Sequence, residues 1–164
     1  MKVTVQHRFA RVSVSRFVDA YYSAEFNRAV APSASLKVRE LTSTRTLDDG
    51  TIERRVRMVP DVELPAPIRA LVAGDIEFYE VSVYDPRTES ARYHVESAAG
   101  DAVVVRGDVR FEQAGDDVLR TIDGEVHVKV FGLGGLIERL IASEVKGRYD
   151  RIQAFTQRWL DDHA

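Results

Sequence analysis

Gly124-Glu125-Val126-His127-Val128-Lys129-Val130, then Gly132-Leu133-Gly134-Gly135, then an unbroken run from Leu136 to about Asp161 decide the fold. The first piece alternates apolar and polar residues, as a half-buried strand does. The glycines form a hinge, and no proline interrupts the run beyond them, so the spacing predicts one helix almost to the C-terminus. At 1.5 Å per residue that helix is about 40 Å long. A helix of this length at the end of a strand-rich chain must lie across a sheet and bury one side there.

The rest of the chain supplies that sheet. Residues 2–9 alternate, with Val3, Val5, His7 and Phe9 on one face. Residues 13–30 change to helical spacing: Ser13 or Ser15 caps a first short helix, Ser23 caps a second, and Pro32 ends the segment. Six further strands are predicted at 36–47, 51–59, 76–85, 90–97, 102–113 and 117–130. Asp48-Asp49-Gly50, Asp85-Pro86-Arg87, Ala99-Gly100-Asp101 and Gly115-Asp116-Asp117 are turn sequences, and connections this short join antiparallel neighbours. Between Pro60 and Gly74 three prolines flank the apolar residues Ile68, Leu71 and Val72, which reads as a loop with a short helix. That segment is a lid, a flap that touches a membrane transiently, or a plug docked in the core.

The expected fold is therefore α+β: a strongly curved seven-stranded antiparallel sheet around a long C-terminal helix, with two short helices after the first strand, all in one domain over residues 1–164. Val103, Val105, Val109 and Phe111 face inward on one strand; Ile122, Val126, Val128 and Val130 do so on the next. A sheet curled this far around one helix leaves space beneath it, and such space is a ligand pocket.

Composition narrows the partners. The net charge of −3 lacks the basic excess that nucleic-acid binding leaves on a domain. There are no cysteines, which excludes disulfides and thiolate metal sites and fits a reducing cytoplasm. The N-terminus enters a strand at once and no apolar run approaches the ~20 residues of a membrane span, so a cytoplasmic, soluble protein is expected. No two histidines have ligand spacing, so no metal is expected. Gly132-x-Gly134-Gly135 opens a helix, but Ile137 stands at the third glycine position of a dinucleotide fingerprint and no parallel strand follows. No Gly-x-Ser-x-Gly elbow occurs. Neither a cofactor nor a catalytic residue is assigned.

The candidate site residues come from interruptions in apolar faces. On the long helix Ile137, Ile141, Val145, Ile152, Phe155 and Trp159 form a stripe, and Glu144 and Arg148 fall inside it. Their i,i+4 spacing favours a mutual ion pair at a pocket mouth, or leaves Arg148 to grip a ligand while Glu144 positions it. His7 lies on the apolar face of the first strand, as a hydrogen-bonded core residue or a polar anchor. Arg54 alternates with Ile52, Val56 and Met58 and is a further anchor if it faces inward. Phe111, Val126, Ile141 and Ile152 are the expected walls, and Tyr79, Tyr84, Tyr93 and Tyr149 could add hydroxyls.

The element order over the whole chain, with the hinge Gly132-Leu133-Gly134-Gly135-Leu136-Ile137-Glu138, resembles the START/Bet v 1-like (SRPBCC) helix-grip superfamily, and within it the DUF2505 family. The resemblance implies a cavity for a sterol, phospholipid, polyketide or similar molecule, and in a few relatives cyclisation or hydrolysis of it. The expected function is thus a binder or carrier of a hydrophobic small molecule or lipid. The alternatives are a polyketide cyclase/aromatase-like or hydrolase-like enzyme, with His7 or Glu144 as acid/base, and a protein-interaction module with a filled core. Oligomeric state is not legible.

Overall fold

One strand, two capped helices, six more strands and a long helix follow one another in the computed structural model. It describes all residues except 62, 64, 65, 71–75, 99, 130 and 133, together with the side chains of all but 67, 68, 140–144 and 146 among the rest. The elements are β1 (Lys2–Phe9), α1 (Val14–Tyr21), α2 (Ala24–Val30), β2 (Leu36–Thr46), β3 (Ile52–Pro60), α3 (Ala66–Arg69), β4 (Phe78–Asp85), β5 (Ser90–Ser97), β6 (Val103–Ala114), β7 (Asp117–Val128) and α4 (Gly134–Asp162). The lid segment is described only in part, and Val130 lies outside the described residues.

The seven strands form one sheet in the order β1-β7-β6-β5-β4-β3-β2, every neighbouring pair antiparallel. Short connections join β2 to β3 and link β4 through β7, the longer segment that holds α3 joins β3 to β4, and β1 returns to pair with β7. Local chemistry starts the small helices: the Ser13 hydroxyl accepts from the Arg16 N–H and that of Ser23 from the Phe26 N–H, each satisfying an otherwise unpaired first-turn donor. Among the described residues no helix is long and apolar enough to cross a membrane.

α4 lies over β1 and β7 and against the turn that follows α2. Ile137 of the expected stripe is buried, but in the C-terminal half the buried face is turned from that stripe: Thr156 and Leu160 are buried, whereas Ile152, Phe155 and Trp159 are half-buried. Thr156 satisfies its hydroxyl by donating to the Ile152 carbonyl one turn back (2.7 Å), so a polar residue fits an apolar face. At this end the core is full: Phe9, Phe17, Val18, Phe111, Val118 and Leu160 pack together.

Side-chain clamps fix α4 against β1. Gln157 accepts from the Ala10 N–H at 2.8 Å and donates to the Ala10 carbonyl at 3.3 Å, replacing a strand partner for that residue. Arg16 donates to the carbonyls of Leu160 and His163, placing a cation at the negative end of the helix. Gln157→Ala leaves a half-buried peptide group unpaired and should cost about 1–2 kcal/mol in urea unfolding.

Candidate functional site

The opposite end of the space beneath α4 is not filled. An inner hollow of about 70 Å³ is bounded by Tyr21, Glu80, Ser82, Phe111 and Arg120. An outer hollow of about 130 Å³ is bounded by Val3, Val5, Val105, Val126 and Val145. Tyr93, Ile122 and Tyr149 belong to both walls and so form the neck between them. Outside, a groove of about 500 Å³ runs between β1 and α4, sharing Val3, Val5, Val145 and Tyr149 with the outer hollow and adding His7 and Asp150. The outer chamber is thus mostly apolar, with Glu125, bonded to Arg106 and His127, at its wall, and the inner one adds Glu80, Ser82 and Arg120.

Alternation along β7 creates the inner chamber. Val118, Arg120, Ile122, Gly124 and Val126 share one face, and Arg120 is 1% exposed. Its Nη2 meets the Nδ1 of His7, its register partner on β1, at 2.9 Å. The guanidinium lies 4.9 Å from the Tyr21 ring centre and 5.2 Å from that of Phe9. Its Nε and Nη1 are buried and have no hydrogen-bond partner among the described residues. Arg54, also buried, rests on the Tyr22 ring at 4.1 Å and leaves Nη1 unpartnered. Aromatic faces rather than carboxylates hold both cations. No Asp or Glu is among the buried residues described. Glu80 enters the inner wall but is 3.5 Å from Arg39, which also donates to Asn27.

Burial, then the adjacent Arg120, pushes the His7 pKa down to about 4, with Asp150 opposing. Near neutral pH the imidazole is therefore uncharged. Because Nδ1 accepts from a guanidinium that can only donate, the ring proton resides on Nε2. His7 thus accepts through Nδ1 and has a donor in Nε2. Burial pushes Tyr149 up to about 12 and raises Tyr22 and Tyr93 as well, so these phenols stay protonated.

The residues singled out on the sequence are distributed unevenly around this space. Phe111 and Val126 stand in its walls and His7 at its groove. Arg54 faces inward but sits behind Tyr22 and Tyr84, outside the walls of the hollows. Arg148 is half-buried with its Nε unpartnered and borders neither hollow. Ile152 is half-buried and also lies off both walls. The side chains of Ile141 and Glu144 lie outside the described residues. Of the tyrosines, Tyr93 and Tyr149 form the neck, Tyr84 joins the core, and Tyr79 is bonded to Glu77 and stacked by Arg55. Arg120 is absent from the residues expected on the sequence, although counting two positions back from Ile122 places it on the inner face.

No curated protein matches this chain. Among solved structures, a protein from Thermus thermophilus, TTHA0849, aligns with a TM-score of 0.71 at 14% identity, covering 100% of this chain and 99% of that one. A START superfamily protein from Mycobacterium smegmatis aligns at 0.61 and 14% identity over 96% and 98%. The Zhui aromatase/cyclase from Streptomyces sp. R1128 aligns at 0.63 and 10% identity over 96% and 95%. These likenesses establish the helix-grip fold. Residues 4–160 match the family described as "Protein of unknown function (DUF2505)", and the chain belongs to that family, on a START/Bet v 1-like fold.

Proposed function

We propose that this protein binds or carries a hydrophobic small molecule between the sheet and α4. The observation that supports it most is the pair of hollows meeting at Tyr93, Ile122 and Tyr149 while the other end of the same layer is packed solid. A vacant apolar space forfeits contacts that a well-packed core would make, so unfilled volume in one place and tight packing in another favours an occupant. Size limits it. The outer hollow, about 130 Å³, is close to the ~150 Å³ that accommodates benzene in an engineered cavity. One ring or a short chain fits, and anything longer extends into the groove beside β1. The hollows weigh against a filled-core interaction module. The protonated Nε2 of His7 weighs against His7 as the base of the enzymatic reading, whose other acid/base, Glu144, has its side chain outside the described residues.

Val126→Phe tests the proposal by placing a ring into a space of about that size. The expected result is at least a ~10-fold loss of toluene affinity by calorimetry, with the melting temperature held or raised because a cavity is filled. Equal toluene binding by both proteins, or none by either, would remove the hollow as the site.

A further inference from the structure

We propose that the inner chamber takes the carboxylate of a small, singly charged organic acid, seated on Arg120, while its apolar part lies in the outer hollow. This inference rests on the small-molecule reading above and adds the chemical class of the ligand. The argument is one of unmatched charge. Arg120 is 1% exposed and cannot shed its proton. A buried ion without a counter-ion is costly unless other groups compensate it. Here the only described polar partner is the neutral His7, and Nε and Nη1 have none.

The neighbours do not supply the missing anion. Tyr21 offers a ring face, and the Tyr149 phenol stays protonated. Glu80 shares the wall, but Arg39 balances it. Its presence sets the limit of one charge: a monoanion meets the excess from Arg120, whereas a dianion would meet Glu80 as well. The direction of entry follows from the polarity of the walls, because Val3, Val5, Val105 and Val126 offer nothing to a charged head and Glu125, the charged residue of that wall, has the sign of the carboxylate. The acid lies head inward, with its apolar body past the Tyr93–Tyr149 neck.

Three probes with the same ring separate head from body: benzoate, benzyl alcohol and toluene, titrated at about pH 8, where His7 is neutral. The wild-type protein should bind benzoate at least ~10-fold more tightly than benzyl alcohol. Arg120→Met should abolish that preference and retain toluene. Arg120→Lys, which keeps the charge, should restore part of the preference and provides the comparison if the methionine variant does not fold. Equal affinity of the unmutated protein for benzoate and benzyl alcohol would overturn the carboxylate assignment while leaving the hydrophobic site intact. So would loss of the preference in Arg148→Met but not in Arg120→Met, which would put the head at the helix. Failure of all three probes would count against the hollow itself, and both proposals would go together.

Discussion

Gly107→Ala should destabilise the protein by about 3 kcal/mol, the cost of severe overpacking, and Gly124→Ala by about 1 kcal/mol or less. The two glycines are register partners on β6 and β7, and Tyr93 of β5 stands opposite Gly107. A Cβ at Gly107 would fall on the Asp123 carbonyl oxygen, a backbone atom, with the Tyr93 hydroxyl at 2.8 Å. The strand would have to move to admit it. At Gly124 the nearest atom is the tip of Tyr93 at 3.0 Å, a side chain that can swing, and the next is 3.7 Å away. Tyr93 thus lies across a bare patch of backbone where the sheet curls, an arrangement in which an aromatic ring covers what the glycines leave open. Urea midpoints of the two variants measure the contrast. For a chain of this size the first should lower the melting temperature by roughly 6–12 °C. Equal effects would mean that β7 does not approach β6 as closely as the register places it. Since Tyr93 is also a wall of both hollows, Gly124→Ala should disturb the neck more than the fold.

Most of the architecture was legible because it rests on short-range rules. Alternation gave the strands, Asp-Gly and Asp-Pro pairs gave the turns, and serines gave the helix starts, all within a few residues of the observed bounds. The long helix was legible from the absence of breakers after its hinge. Its buried face was less so, because counting only apolar residues excluded Thr156, whose hydroxyl is silenced by the Ile152 carbonyl. Counting the stripe by a fixed angle from Ile137, itself buried, also carried it past Leu160, which is buried on the side that Thr156 faces. The inner chamber is hidden for a related reason: Arg120 is a charge at an inward position, and a reading that begins the inner face at Ile122 leaves it out. The partners that make the position tenable, Phe9, Tyr21 and His7, are distant in sequence and adjoin it only through the β1–β7 pairing and the packing of α1. The hollows are differences between the volume enclosed and the volume filled, and no local pattern encodes that difference.

Acidification from about pH 6.5 to 4 should remove roughly 3 kcal/mol of stability through His7 alone. In the unfolded chain the imidazole takes up its proton near 6.5; in the folded protein burial and Arg120 hold this off until about 4. The unfolded state thus binds more protons across that window, and stability falls as pH falls. The contribution is fully present above 6.5 and stops changing below about 4. Asp150 pulls the other way and is included in the resulting value, while Arg120, bonded to Nδ1, resists protonation because a charged ring would have to break that bond. The rest of the protein has its own dependence on pH, so a difference is the proper measure. His7→Gln keeps an acceptor for Arg120 and has no proton to gain. Subtracting its urea stability from that of the wild type at each pH should give a curve that is flat above 6.5 and falls toward 4. The same imidazole, followed by NMR, should carry its proton on Nε2 through the neutral range and titrate near 4. A ring that titrates near 6.5, or a flat difference curve, would mean that the His7–Arg120 contact is not held in solution. The guanidinium would then lose the one polar partner that fixes its orientation toward the inner chamber.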